Sequence, residues 1–574
     1  MGGLMVQAAR NRCSWGKSDL GKHSLCIASL VLFVSASGFA QTNVSAGNVS
    51  GTWRLANSPY HINGDITIPN DSTLTIEPRV KVVFTGHYKF NVQGRLLAVG
   101  SRQDSIYFTA ENTATGWHGI RFMNTPNTND TSKMIYCSFT HGKANTGSGF
   151  DQCGGAILIH SFDKVFISDC LFDSNVQSGE SWVIPYEAGP AIYFIYCSPV
   201  ITKSTFSNNV GHKSGAIVCL YSPCAIISHN VLTLNKGMFG PIVCEFNGSP
   251  TISDNIIFNN LASYGPGGIL VYSGATPTIE RNVISYNLAG GIGVIYNSTP
   301  WVLNNIIVHN YDCGVACWDS SNAVLINNTI AYNGGPRGGG IVCDGNSDPI
   351  LINTILYNNT APSGNQVNIT DGQSDPHFVY CDIQGGMEGF AGYGAGANYS
   401  GTYINNIDAD PKFVDAASND FGLSDSSGCI GAGEFTAKVA GVYYHPPTFD
   451  IMGNPRPSPS GSRPDIGACE NPRGNPTDVR ELDASIPTSY ALEQNYPNPF
   501  NPSTTIRYGL SSRSHVTLTV FNMLGQEVAP LINGDMGAGY HEVKFDASRL
   551  SSGVYMYRIQ AGDFVQTRKL LLVR

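Results

Sequence analysis

Between Gly154 and Asn359 the chain repeats one phrase, and that repeat limits the fold more than any other feature. A Gly-rich entry leads into a short apolar strand, a Ser/Asn/Pro turn, a second apolar strand and a closing Asn. One copy reads Gly215-Ala216-Ile217-Val218-Cys219, then Ile226-Ile227-Ser228-His229-Asn230-Val231-Leu232, then Asn235. The closing residues are Asn175, Asn209, Asn235, Asn260, Asn287, Asn310, Asn333 and Asn358, in steps of 34, 26, 25, 27, 23, 23 and 25. Five residues before each stands a second column: Cys170, Ser204, Asn230, Asn255, Asn282, Asn305, Asn328 and Asn353. A fixed step with strand periodicity inside it means stacked coils. The expected fold is therefore all-β: a parallel β-helix solenoid followed by a small β-sandwich.

Stacking explains the choice of Asn. Each coil bonds to its neighbours at the strand spacing of ~4.8 Å, so equivalent side chains lie one above another. Asn tolerates left-handed backbone at a corner, and stacked amides can bond along the column. These columns are structural by expectation. Alternation turns Ile217 and Cys219 inward and Val218 and Leu220 outward. The same register places Cys244, Cys317 and Cys343 inside, while Cys137, Cys170 and Cys381 align with the inner Asn column. Cysteines spread one per coil along an axis do not form a metal site, so they read as buried free thiols.

Composition agrees. The chain has 574 residues, 64 of them Gly, and only 13% are charged, about half the usual share. A net charge of −9 without a basic stripe argues against nucleic-acid binding. Arg10, Arg12, Lys17 and Lys22 precede an uncharged stretch, Ser24 to Phe39, that ends in Gly38-Phe39-Ala40. That is the pattern of an export signal cleaved after residue 40. No other segment reads as a membrane-spanning helix, so no stable transmembrane span is expected after cleavage.

The flanks carry resemblances. Gly51-Thr52-Trp53, Leu74-Thr75-Ile76-Glu77-Pro78, Gly94-Arg95-Leu96-Leu97-Ala98-Val99-Gly100 and Trp117-His118-Gly119-Ile120 resemble the opening of secreted right-handed β-helix proteins of the pectate-lyase-like superfamily. Asp408-Ala409-Asp410-Pro411 and Asp465-Ile466-Gly467-Ala468-Cys469-Glu470 resemble its closing segment. The superfamily hosts lyases, hydrolases, esterases and non-enzymes, so the resemblance implies architecture more than activity. Beyond a linker at 471–488, Asn495-Tyr496-Pro497-Asn498-Pro499-Phe500-Asn501-Pro502 and Ser552-Gly553-Val554-Tyr555 resemble the C-terminal sorting domain of the type IX secretion system. That resemblance spans 489–574. It implies the secretion machinery as partner and a destination at the cell surface or outside the cell. The expected order is signal peptide 1–40, β-helix with its caps 41–470, linker 471–488 and sorting domain 489–574.

Chemistry on a β-helix sits on outward side chains of neighbouring coils. The outward positions read Leu158, Tyr193, Val218, Val243, Leu270, Gly293, Ala316 and Val342, followed two residues on by His160, Ile195, Leu220, Glu245, Tyr272, Ile295, Trp318 and Asp344. An apolar stripe of this kind is either covered or binds something. Tyr193, Tyr272 and Trp318 are the candidates for stacking on sugar rings. The catalytic candidates are the acids Glu245, Asp319 and Asp344, with His160, Asp163 and Lys164 as a looser cluster. Asp319 and Asp344 lie one coil apart with no Arg or Lys beside them. A lyase of the superfamily would need calcium and an Arg or Lys base; otherwise no cofactor or metal is expected. A non-catalytic surface module contacting polysaccharide is the favoured expectation. A lyase or glycosidase acting on an acidic polysaccharide is the alternative.

Overall fold

The computed structural model describes residues 41–177, 189–336, 338–473 and 489–573, the last without 497, 499, 523–525 and 549. The export-signal expectation, most of the linker, and residues 178–188, which lengthen the first step of the repeat to 34, lie outside the described residues. The chain divides into two compact units between residues 475 and 476.

The first unit is a parallel β-helix with three strands per coil. One sheet of 14 strands runs from Thr42–Val44 to Asp382–Ile383, a second of 13 from Gly47–Asn48 to Val367–Ile369, and a third of 14 from Gly51–Trp53 to Tyr403–Ile404. The sequence suggested two strands per coil, so this is a correction. What reads as one strand from Ile226 to Thr233 breaks at His229, whose φ of 56° turns the corner between Ile226–Ser228 and Val231–Thr233. The side chains that fill the interior follow the register. Phe108, Phe139, Phe172 and Phe206 stack with centroids 4.7–4.9 Å apart, and Leu232, Ile257, Ile284, Ile307 and Ile330 continue their column. All are fully buried.

Two buried ladders hold the corners. Asn235 Nδ2 and its backbone N–H both donate to Asn260 Oδ1, and Asn260 repeats this on Asn287. Nδ2 of Asn235 also donates to the carbonyl of Phe206. Each amide thereby satisfies a neighbouring coil's backbone where no strand partner exists, a need that buried peptide groups impose. The left-handed residue is not the ladder Asn but the one before it: Leu234, Asn259, Asp254 and Asn304 all have φ near 55°. This moves two assignments. Asn333 donates to Asn359, not Asn358, which occupies the left-handed corner and is half-buried. In the other column Asn328 is followed by Thr354 and Cys381, while Asn353 takes the corner.

The corner asparagines have their own role. Asn304, Asn327 and Asn353 bond to Phe449, to Asp465 and Gly467, and to Glu434 of the closing segment. A buried Arg456–Glu470 pair at 2.9 Å locks that segment beside them. Asp382 receives the Ala409 N–H and the Cys429 thiol on its two oxygens. The 13 described cysteines stand as thiols outside disulfides and, apart from Cys224, are buried. Burial pushes Cys317 and Cys381 up to about 12, so these thiols are unreactive at neutral pH.

The second unit pairs a three-stranded antiparallel sheet, Ala491–Leu492, Ser503–Leu510 and Gly539–Asp546, with a four-stranded one over Ser514–Phe521, Glu527–Met536, Gly553–Ala561 and Phe564–Leu572. Ile506, Tyr508, Val516, Leu518, Val520, Tyr557 and Ile559 form its core. It is a small β-sandwich.

Replacing Asn359 by Ala strands several buried backbone groups and is expected to cost about 2–4 kcal/mol in denaturant unfolding, whereas Asn358→Ala costs about 1 kcal/mol or less. The pH profile offers a second check. Burial, with Asp408 and Asp410 adding to it, pushes the Asp382 carboxyl up to about 7, above the unfolded value of about 4. Its contribution to stability is therefore full below pH ~4 and is lost as pH rises through ~7. Asp382→Asn is expected to shrink the fall in Tm across that window.

Candidate functional site

The outward stripe of the second sheet is covered. Leu158, Tyr193, Val218, Val243 and Leu270 have no exposed surface, and Phe150, Cys153 and Phe239, from segments leading into the sheet, pack over them. Tyr193 is thus part of a second core and is not available for stacking on a ligand. Trp318 is half-buried and packs beside Cys313, Ala316 and Val342. Of the three proposed aromatics, Tyr272 lines a surface depression.

That depression lies one residue beyond the stripe. Alternation would send Tyr221, the residue after Leu220, inward, but its φ of 47° turns it out at the corner. The same happens at Tyr196 and Phe246. Stacked coils bring these rings together: Tyr196 to Tyr221 is 4.9 Å between centroids at 20°, and Tyr221 to Phe246 is 5.2 Å at 13°. Tyr296 continues the column, and Tyr272 meets it edge-on at 4.9 Å. Between Phe246 and Tyr296, however, the corner position is Ser273, with φ 55°. One rung of the ladder is vacant.

A shallow depression of about 580 Å³ opens at that rung. Its walls are Tyr221, Phe246, Asn247, Tyr272, Ser273, Gly274, Tyr296 and Asn297. Gly274 has φ 77°, and a Cβ there would stand 2.6 Å from Asn247 Oδ1, so Gly keeps the floor open. Asn247, Ser273 and Asn297 supply donors and acceptors beside the rings. A flat amphipathic ring fits this combination: apolar contact on its faces, hydrogen bonds at its rim.

The acids do not converge there. Glu245 is buried and ion-paired with Lys213 at 2.7 Å, a partner the sequence reading missed because Lys213 lies in the entry segment. Burial raises the Glu245 carboxyl while Lys213 opposes the rise. Lys213 Nζ also sits 5.8 Å over the Tyr272 ring. Asp319 and Asp344 are exposed: Asp344 follows the Cys343 that pairs with Cys317, and Asp319 turns the corner with φ 54°. His160, Asp163 and Lys164 separate: His160 lies against Phe150 and Tyr196, Asp163 caps Ser198, and Lys164 bonds the carbonyl of Asn129. Among the described residues no three His, Cys, Asp or Glu side chains gather to hold a metal.

Comparison with known proteins identifies two segments. Residues 240–408 match the family described as right handed beta helix region, and residues 494–573 match the secretion system C-terminal sorting domain. No curated protein matches the chain. Among solved structures it is similar to the enzymatically active domain of tailspike protein 2 of bacteriophage CBA120, at 9% identity and a TM-score of 0.27, over 93% of this chain and 72% of that one. A likeness of that size carries no argument about activity. The first unit is thus a right-handed parallel β-helix, and the second directs export across the outer membrane through the type IX machinery to the cell surface or the medium.

Lys213→Met leaves a buried carboxylate unpaired and is expected to cost about 3–5 kcal/mol. The loss should be greater at pH 8 than at pH 5, since the unpaired acid is held neutral by protonation at low pH. The double change Lys213→Met with Glu245→Leu should restore most of the stability.

Proposed function

We propose that this exported β-helix is a non-catalytic surface module that binds polysaccharide, and that one sugar ring occupies the vacant rung between Phe246 and Tyr296. The observation that carries this reading is the interruption itself. The corner bears rings at Tyr196, Tyr221, Phe246 and Tyr296 and a serine where the next ring belongs. Adjacent coils stand ~4.8 Å apart, so two spacings separate the flanking rings and leave the thickness of one ring between them.

A second aromatic corner gives the contrast. Tyr286, His309 and Tyr332 also stack along the axis, at 4.9 and 5.3 Å. The chain covers part of that stack itself, with Phe421 6.0 Å from His309 and Phe413 6.5 Å from Tyr332, while Tyr286 stays exposed. Described residues leave the first corner open: Tyr196 is 53% exposed and Tyr296 47%. An exposed aromatic strip on a secreted protein is a contact surface for amphipathic ligands.

The test is binding of the secreted protein to neutral and acidic polysaccharides, with reducing ends and unsaturated products followed in parallel. Phe246→Ala is expected to weaken binding at least ~5-fold, in line with an aromatic contact of about 1 kcal/mol or more. Ser273→Tyr fills the rung, and the corner already accepts Tyr at the same φ at positions 196, 221 and 296. It should block binding while leaving Tm unchanged or raised. Undiminished binding by both variants contradicts the proposal. Cleavage that is lost in Asp319→Ala or Asp344→Ala would replace it with the lyase or glycosidase reading.

A further inference from the structure

The outer face of the second sheet changes character before the repeats begin. Later coils carry Leu158, Tyr193 and Val218 in the outward column; the coil before them carries Arg121, paired with Asn91 on one side and Leu158 on the other. Arg121 is only 2% exposed. Its Nη1 donates to the carbonyls of Cys153 and Gly154, yet Nε and Nη2 have no hydrogen-bond partner among the described residues. His118 is equally buried, and its Nε2 also lacks a hydrogen bond there, lying 3.9 Å from Asp151 Oδ1. Its Nδ1 faces His87 Nδ1 at 3.3 Å. Lys89 Nζ reaches Asp151 at 2.8 Å.

The charges do not balance. Lys89 and Arg121 face a single carboxylate, Asp151. Burial, and next the positive charge of Arg121, push His118 down to about 2, so its ring is neutral. Burial lowers Arg121 to about 10, which leaves it charged at neutral pH. A buried guanidinium with two unmet donors is costly unless an anion meets it. Nε and Nη2 form the edge of the guanidinium that grips two oxygens at once.

We infer that this is an oxyanion site, in which the Nε/Nη2 edge of Arg121 and the ammonium of Lys89 take a carboxylate or sulfate, free or carried on an acidic sugar. The neutral His118 adds a donor when Nε2 carries the ring proton. The segment 145–152 lies over the site and contributes Asp151, and it turns on Gly147 and Gly149, with φ of 83° and 60°. Asp151, held by Lys89 and 3.9 Å from His118 Nε2, is the carboxylate that an incoming oxyanion would displace. The site is built from coils other than those around Phe246, so it stands apart from the binding proposed there.

The test uses the full secreted chain, titrated calorimetrically and by thermal shift with sulfate, glucuronate and glucuronate oligomers. Chloride at equal ionic strength is the control. Sulfate or glucuronate should bind and raise Tm where chloride does not. Arg121→Met should abolish that rise while the ligand-free Tm stays level or climbs, because a buried unpaired charge has been removed. Lys89→Met should weaken binding about two- to fivefold, the size of a partly exposed charge contact. Binding of sulfate alone assigns the free ion or a sulfate ester, and tighter binding of oligomers assigns a polysaccharide source. The inference is overturned if neither oxyanion binds the native chain, or if Arg121→Met binds as well as the native chain does. Should Arg121→Met fail to fold, undiminished affinity in Lys89→Met overturns it.

Discussion

A parallel coil leaves backbone amides and carbonyls stranded wherever the chain turns a corner, and the rest of this structure depends on how they are met. Here a buried Asn does it, bonding its own copy in the next coil and a backbone carbonyl in the previous one. The solution repeats only if the register holds from coil to coil. That requirement fixes the step and aligns every other column, including the inner Phe stack and the outer rings. Substitutes within the ladder keep the bond: Cys170 accepts from the Cys137 N–H and Ser204 from the Cys170 N–H.

Corners also decide what the solenoid shows to its surroundings. A left-handed residue points its side chain out, and the chain uses these positions in different ways. Asn304, Asn327 and Asn353 receive the closing segment, which seals the later coils with the buried Arg456–Glu470 pair. Tyr286, His309 and Tyr332 are partly covered by Phe413 and Phe421 of that same segment. Tyr196, Tyr221, Phe246 and Tyr296 are left for something else. The second sheet, by contrast, is packed on both faces from Leu158 through Ile295.

Much of the architecture was legible because identical side chains stack. The two Asn columns, the inward cysteines and the C-terminal sandwich all follow from spacing and alternation. The errors of strand count and column share one physical cause, which is that alternation stops at a left-handed residue. It split one apparent strand into two and exchanged Asn358 for Asn359 and Asn353 for Thr354. The doublets Asn259-Asn260 and Asn304-Asn305 held the signal, since in each the second residue joins the ladder. The same break hid the rings at Tyr221 and Phe246, which alternation assigns to the interior. Lys213 and Arg121 were illegible for another reason: Lys213 lies in the entry to its coil and Arg121 on a coil before the repeats, and each meets partners brought near only by folding.

The proposed recognition lies at an interrupted ladder of rings on an exported scaffold. A crystal structure of the secreted protein with its tightest-binding oligosaccharide tests that placement most directly. The account predicts one sugar ring seated between Phe246 and Tyr296, with hydrogen bonds from Asn247, Ser273 or Asn297. An oligosaccharide bound elsewhere, with this depression empty, would contradict it.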